Sequence, residues 1–554
     1  MKVAVGYVPV AQLLLIKIKK SEFNSLKINL SLSMQGKKDY KEKLFTHFQL
    51  SEYVPKDNFY RRLKAALSLD FLYELTKPYY GDCGQKSIDP TVFFKLCLVG
   101  YLENLTSDRQ LMNHCKMRLD ILYFLGYDID QPLPWHSTLS RTRQLLPEVL
   151  FEEIFHRVLM LCIESGMVSG HTQAIDSAPI KANASMDSLE LKIPEESLEE
   201  YLNKYHHISK GDKSPKASRK AKHDKSDDEE RKVSASEKEL KEIAARTKRW
   251  SEEQDQRPGA GHKQSKYVSN KTHYSPVDPD ARISVKPGKA RKLNYLSQLS
   301  VDTAHHVITD IQAYHADGKD NQQLQDITLR LKRRLWKLGL PWKTVLADTG
   351  YSSGENYAFL EQQDLTSYIP PHGTYKGGPE GFVYEKEGDY FTCPQGEQIP
   401  FKKEFKDYRT QTLKKEYRSS TRQCKSCPIR SSCLGKTAKE KKFSVTYYRA
   451  EYERNNKRIK SSYGRYLKKK RSSTVEPVFG TLTQFMGLRK INTRGIAQAN
   501  KVMHMAAIAY NLKKYLKFIK KRRETVAQEA VKCLLQQILL LRLILLGNGQ
   551  LKMS

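Results

Sequence analysis

The sequence predicts an α/β core, a mixed sheet flanked by helices, preceded by an all-α segment and interrupted by two insertions. Three observations predict it. Residues 34–165 carry apolar side chains at helical spacing between polar turns. Residues 283–371 alternate short apolar runs with amphipathic helical ones, the rhythm of an α/β sheet. Two stretches, 195–282 and 372–470, break the pattern: the first is dense in charged and polar residues, the second holds a cysteine cluster.

In chain order, Val3–Ile16 is apolar and is followed, not preceded, by Lys17, Lys19 and Lys20, with no small-residue cleavage site. That is the wrong order for a signal peptide. Residues 1–33 are therefore expected to be a non-essential extension, with Met34 as the functional start. Residues 34–165 are expected to form a helical DNA-binding domain. In it Phe59–Leu75 has a helical stripe (Leu63, Leu67, Phe71, Leu75), Asp89-Pro90 is a cap followed by proline at the first helical position, and Ser107 caps a further segment. Ser137-Thr138 opens a helix bearing Arg141 and Arg143, which suits a helix-turn-helix-like contact with DNA as well as an ordinary bundle with solvated arginines.

The core is expected to be assembled from residues 169–194, 283–371 and 471–520. Thr172–Asp176, Leu293–Val301, Val307–Ala313, Lys343–Ala347 and Thr366–Ile369 read as strands, and Gln322–Leu338 and Tyr357–Gln362 as helices. Residues 195–282 hold too few large apolar groups to offset chain entropy and read as a flexible insertion, with Glu237–Ala245 its best helical stretch. Residues 521–554 form a basic, then leucine-rich tail. Its apolar run, Leu534–Leu546, contains Gln536, Gln537 and Arg542 and falls short of the roughly 20 residues that span a bilayer, so no membrane partner is expected.

Composition narrows the function. The chain has 95 Lys and Arg against 62 Asp and Glu, a formal charge of +33. An excess of that size points to a polyanionic partner, nucleic acid being the usual one. Nine cysteines in 554 residues are too few for a disulfide scaffold. Cys83, Cys97, Cys115, Cys162 and Cys533 read as small buried hydrophobes.

Phosphodiester chemistry commonly uses two divalent ions held by a few carboxylates that are distant in sequence and meet at a sheet edge. Asp176 follows Gln173-Ala174-Ile175, and Asp348 follows Val345-Leu346-Ala347 and precedes Gly350, which allows a tight turn. Glu476 precedes Pro477, which places it at the mouth of a helix whose apolar face carries Val478, Phe479, Leu482, Phe485 and Met486. A lone acid of this kind is ordinarily a cap or turn residue; the combination with local motifs carries the reading.

Those motifs resemble the DDE transposases of bacterial insertion sequences. Ala174-Ile175-Asp176-Ser177-Ala178-Pro179-Ile180-Lys181-Ala182-Asn183 resembles the first-Asp motif, and Ala347-Asp348-Thr349-Gly350-Tyr351 the second, D-x-G-Y. Val475-Glu476-Pro477-Val478-Phe479-Gly480, followed by Arg489 and Arg494-Gly495, resembles the third. Ser87-Ile88-Asp89-Pro90 through Trp135-His136-Ser137-Thr138-Leu139-Ser140-Arg141 resembles the helical N-terminal domain of the same proteins, so the likeness covers roughly residues 34–520.

The resemblance implies an RNase H-like core in which Asp176, Asp348 and Glu476 hold Mg²⁺ or Mn²⁺. It implies double-stranded DNA as partner (element ends and target), a homo-oligomer on that DNA, and a cytoplasmic, nucleoid-associated setting. The implied reaction frees a 3′-OH at the terminal inverted repeats and joins it to target DNA. Two rivals stay open: a nuclease on the same core that cuts without joining, and an inactive DNA-binding relic. Tyr466 and Arg471 precede Glu476, but not at the Y-R-E-K spacing of some relatives. Phosphate contacts are expected from Arg141, Arg143, Lys289, Arg291, Lys292, Arg489, Lys490 and Arg494. Each would steepen the log–log salt dependence of DNA binding by roughly 0.9.

Cys393, Cys424, Cys427 and Cys433 follow a C-x30-C-x2-C-x5-C spacing. A similar cluster occurs in some of these transposases. Four thiolates can close a tetrahedral Zn²⁺ site; reduced thiols without metal and a disulfide are the alternatives.

Overall fold

A computed structural model describes residues 48–81, 87–191, 270, 273–284, 291–373, 377–408 and 412–547, with side chains in the last helix described to Ile538. Residues up to Gln49 form a unit of their own, of which only Phe48 and Gln49 are described. The extension 1–33, Met34, Cys83, Glu237–Ala245 and Lys289 lie outside the described residues, as does most of the first insertion.

Among the described residues, eight α-helices open the second unit: α1 Leu50–Tyr53, α2 Phe59–Ala66, α3 Phe71–Thr76, α4 Pro90–Leu102, α5 Asp108–Lys116, α6 Leu119–Leu125, α7 His136–Leu145 and α8 Glu148–Glu164. Their starts follow the sequence. Asn58 accepts from Tyr60 N and Arg61 N, Asp89 accepts from Thr91 N and Val92 N ahead of Pro90, and Ser107 accepts from Gln110 N. The stripe expected over 59–75 breaks into two helices because Leu67 is extended. α4 is buried nearly all round, from Pro90 to Gly100, and is the axis of this layer.

The central sheet follows: β1 Thr172–Lys181, a short β2 Glu190–Leu191 paired with β3 His273–Tyr274, then β4 Arg282–Ser284, β5 Lys292–Asp302, β6 Ile308–His315, β7 Thr344–Leu346 and β8 Thr366–Tyr368. β1 and β5 run antiparallel with Asp176 opposite Leu299, while β1–β7 and β7–β8 are parallel. β6 and β4 share the other edge of β5. The order is β6-β5-β1-β7-β8, with α9 Asp320–Lys337 and α10 Gly354–Gln362 as the crossovers into β7 and β8.

Alternation along the strands separates two cores. Ile175, Val345 and Ala347 pack with Leu324, Ile327, Tyr357 and Leu360 of α9 and α10. Ala174 and Leu346 face the opposite layer, which joins α4 and α8 to two later helices.

A second, five-stranded antiparallel sheet fills the second insertion: β9 Val383–Glu385, β10 Tyr390–Thr392, β11 Gln398–Lys406, β12 Leu413–Arg418 and β13 Lys442–Thr446, over a small aromatic core of Phe391, Tyr417 and Phe443. Between β12 and β13 lie α11 Thr421–Lys425 and α12 Arg430–Cys433. The chain ends in α13 Arg449–Lys460, α14 Ser462–Phe485 and α15 Ile496–Gly547.

Several expected boundaries fall inside elements. The edge at 282 cuts β4, that at 470 cuts α14 and that at 520 cuts α15. Composition changes at those points but backbone hydrogen bonding does not. α15 is buried over Ala499–Leu512 and exposed from Lys520 to Ile538, so Leu534, Leu535 and Ile538 are exposed. Cys97, Cys115 and Cys162 are buried as expected, whereas Cys533 stands exposed on that same helix.

Candidate active site

The register of β1 and β7 brings two of the three expected acids together. Ala174 pairs with Leu346 as the last matched position of these parallel strands. Asp176 and Asp348 each lie two residues further on, so they emerge side by side where β7 ends. β1 continues to Lys181, which corrects the expectation that the strand stops at Asp176. Pro179 is accommodated within the strand because β7 pairs only with Thr172–Ala174 and leaves that edge open at the proline's level.

Asp176 Oδ1 accepts from Ser177 N at 2.8 Å, and Oδ2 accepts from Arg471 Nη1 of α14 at 3.0 Å. Burial raises its pKa to about 6; Arg471 opposes that shift and the neighbouring Asp348 adds to it. Asp348 caps the turn Thr349–Tyr351, its Oδ1 accepting from Gly350 N at 2.9 Å. Gly350 is required for space rather than for a left-handed turn. A Cβ there would lie 3.0 Å from Asp348 Oδ1 and 2.8 Å from Oδ2 of a further acid, Asp320.

Asp320 was not singled out from sequence. It is the first residue of α9, and its Oδ1 accepts the Ser177 hydroxyl at 2.5 Å. Nothing local marks it, since an acid in a first helical turn is common; only its position directly after β6 hints at the sheet end. Tyr351 completes the group. It is fully buried, and its hydroxyl has no hydrogen-bond partner although Ser177 lies beside it. Burial first, then the charges of Asp176, Asp320 and Asp348, push the phenol well above its ordinary value.

Glu476 lies elsewhere than expected. It sits inside the 24-residue α14, not at a helix mouth. The helix passes through Pro477 because its buried face (Thr474, Val475, Val478, Leu482) holds it to the sheet while Pro477 is exposed. The carbonyl deprived of its donor is thus on the solvent side. Arg471 points at Asp176, and Glu476, five residues on, is turned about 140° from it. Glu476 lines an open groove with Arg465, Lys468, Lys469, Ser472 and Ser473. Among the described residues, no three His, Cys, Asp or Glu side chains are grouped so as to hold a metal ion.

The basic residues divide. Arg141, Lys292, Arg489, Lys490 and Arg494 are exposed, and Arg291 is half-buried. Arg143 is instead structural: it makes a bidentate pair with Asp108 at 2.8 and 3.0 Å, tying α7 to α5. A charged residue on a helix does not announce which way it faces, and the partner lies 35 residues away. Lys490 bridges to Lys181 with Arg489 beside it, and Ile491 N donates to Lys181 O at 2.8 Å. This exposed segment therefore lies five residues along β1 from Asp176, about 17 Å.

Cys393, Cys424, Cys427 and Cys433 line one pocket at the end of the second sheet, all unbridged. Gln395 N lies 3.4 Å from Cys393 Sγ, and Ser419 Oγ 3.0 Å from Cys424 Sγ.

Comparison with known families gives two matches. Residues 48–145 match the model described as "Transposase domain (DUF772)", and residues 392–516 match "Transposase DDE domain". The second match includes Glu476 and the four cysteines but neither Asp176 nor Asp348. No curated protein matches the chain. Among the described residues no helix is long and apolar enough to cross a membrane. A transposase domain at one end and a DDE transposase domain towards the other support a DDE transposase of an insertion element.

Proposed function

We propose that the chain is the transposase of its own insertion sequence, binding the terminal inverted repeats and catalysing divalent-metal-dependent strand cleavage and strand transfer. The observation that carries this is the emergence of Asp176 and Asp348, side by side, from adjacent parallel strands. The order β6-β5-β1-β7-β8, antiparallel on one side of β1 and parallel on the other, supports an RNase H-like core.

Two aspartates at one sheet end offer the oxygen donors that a hard cation takes, with no third acid grouped with them among the described residues. Carboxylate oxygens converge on a cradle that a Cβ on Gly350 would fill, and a buried phenol lacks a partner beside them. Asp176 and Asp348 would hold Mg²⁺ or Mn²⁺, and Glu476 is the third acid of the family pattern, carried by the helix whose Arg471 touches Asp176. When bound, such a cation supplies activation of the attacking oxygen and stabilisation of the leaving one. The chain's own groups do the rest. Ser177 N and Gly350 N orient the two carboxylates, and Arg471 neutralises Asp176.

The groove of Arg465, Lys468 and Lys469 beside Glu476, with Arg489, Lys490 and Arg494 further along, supports a path for the DNA backbone. The helical layer would read the element ends, a dimer or larger assembly would pair them, and the work would be done on the nucleoid in the cytoplasm.

The test of joining uses a pre-cut element end with an exposed 3′-OH, a target plasmid and Mn²⁺. Covalent end–plasmid product is expected. Nicking without product would favour the nuclease, and binding without either would favour the relic. A structural Zn²⁺ on the four cysteines, which line one pocket unbridged without being grouped to hold a metal ion, is a separate proposal. About one zinc per chain is expected by elemental analysis, lost in Cys424→Ser with Cys427→Ser; zinc-free parent protein would contradict it.

A further inference from the structure

We propose that the exposed end of α15 is a self-pairing surface, on which a second copy of this chain docks to form a parallel two-stranded coiled coil. At the foot of this stretch Arg522 Nη1 still reaches Ser165 O at 3.3 Å. Over residues 521–538 every side chain is exposed, although the helix runs on unbroken. A helix in water draws most of its stability from packing an apolar face, and here that face is left uncovered.

The side-chain pattern says what covers it. Ala527, Val531, Leu534 and Ile538 recur at intervals of four, three and four, the a and d positions of a heptad, with Val531 and Ile538 at a and Ala527 and Leu534 at d. Branched residues at a with leucine at d favour two parallel strands. Glu529, Lys532 and Gln536 lie on the opposite face, at the b and f positions that such a pair leaves in water. The stripe complements itself about a two-fold axis, so the same stripe on a second copy fits it. A stable interface takes roughly 20–30 residues from each side, and residues 520–547 of this one helix supply a run of that length. The four cations Lys520, Lys521, Arg522 and Arg523 come together at the root of a parallel pair, where they repel one another until salt or a polyanion screens them. This pairing supplies the two-chain assembly assigned above to the DNA ends, but it does not rest on that reading.

The test is sedimentation equilibrium of the full-length, nuclease-treated, DNA-free protein at low and high salt. It compares the parent with a seam variant, Leu534→Glu with Ile538→Glu, and with Val526→Glu. Val526 is 58% exposed and Val531 56%, yet Val526 sits at c, off the seam, and is the control for non-specific apolar association. The parent is expected to be a dimer that persists at high salt. The seam variant is expected to weaken association by about a hundredfold or more, because like charges meet in the seam, and Val526→Glu by less than about threefold. All three side chains are exposed on the single chain, so the fold stands, and an unchanged near-ultraviolet circular dichroism spectrum checks it. In a Cys533→Ser background, Leu534→Cys is expected to cross-link two chains on air oxidation, since a parallel pair sets d against d. A seam-dependent dimer that fails to cross-link would overturn the parallel arrangement. A monomeric parent, whether or not it binds anionic phospholipid vesicles, overturns the proposal, as does a dimer that the seam variant and Val526→Glu disturb equally or not at all. End joining by such a protein would leave the transposase reading standing.

Discussion

Gly350→Ala is expected to lower metal-dependent cleavage by about a hundredfold or more while leaving the protein folded. Gly350 is not among the glycines with a left-handed backbone, so alanine meets no conformational penalty there. The difficulty is the added carbon, 2.8 Å from Asp320 Oδ2 and 3.0 Å from Asp348 Oδ1. One carboxylate or both must move, and cation-binding oxygens displaced by even half an ångström no longer hold the productive geometry. Nicking rates and the melting temperature, measured on the same preparation, check this. Parent-like cleavage by the alanine variant would show that the space at Gly350 has no part in the chemistry.

The largest stability effect is expected at Asp310. This buried acid on β6 accepts from Arg330 Nε at 2.9 Å and Nη2 at 2.6 Å, and it also pairs with Arg334. Arg334 in turn reaches Thr309 O at 3.1 Å and Glu152 of α8 at 2.7 Å, and it lies over the Phe155 ring at 5.3 Å. The network therefore joins the helical layer to the sheet and to α9. Asp310→Ala would leave two guanidinium groups facing a buried gap, at a cost of about 3–5 kcal/mol. Chemical denaturation checks it; a loss below about 1 kcal/mol would mean that water or neighbouring acids compensate.

The same cluster sets the acid limb of stability. Burial pushes Asp310 up, but Arg330 and Arg334 outweigh it and hold the carboxyl below its ordinary range. His504 of α15 is fully buried, and burial and then Arg334 push its pKa down. Its Nδ1 has no hydrogen-bond partner. The unfolded chain therefore binds a proton at His504 before the folded one does. Stability is present above the ordinary imidazole value and is lost as pH falls, by roughly 1 kcal/mol for each unit below about 6.5. The contribution of Asp310, present above the ordinary carboxylate value, is lost only at lower pH, as its folded-state pKa is passed. His504→Leu should flatten the melting-temperature profile between pH 7 and 5. An unchanged slope would assign that limb to other groups.

Much of the architecture was legible because local chemistry and tertiary demand agree. Asp89-Pro90 and Ser107 start the helices they were expected to start, and β5, β6, β7 and α9 fall within a residue or two of their expected spans. The Asp176–Asp348 pair could be anticipated because each acid follows a short apolar run, although the pairing itself is a matter of strand register. The rest depends on contacts that sequence does not display. Pro477 reads as a helix start, yet packing of Val475, Val478 and Leu482 carries the helix straight through it. Arg143 reads as a DNA contact until Asp108 is found opposite it. Asp320 looks like an ordinary first-turn acid and meets the site only because the crossover from β6 delivers the start of α9 to Ser177, where β7 ends beside β1.

The central claim is a cation-dependent phosphodiester site built on Asp176 and Asp348. The most direct measurement is nicking of a DNA fragment carrying the gene's own flanks, with Mg²⁺ or Mn²⁺, by the parent and by Asp176→Ala, Asp348→Ala and Glu476→Ala, with DNA binding followed in parallel. The parent should nick at the element ends only with metal, and each variant should bind that DNA normally without cutting it. Metal-dependent nicking that survives both aspartate substitutions would place the chemistry elsewhere and contradict the account.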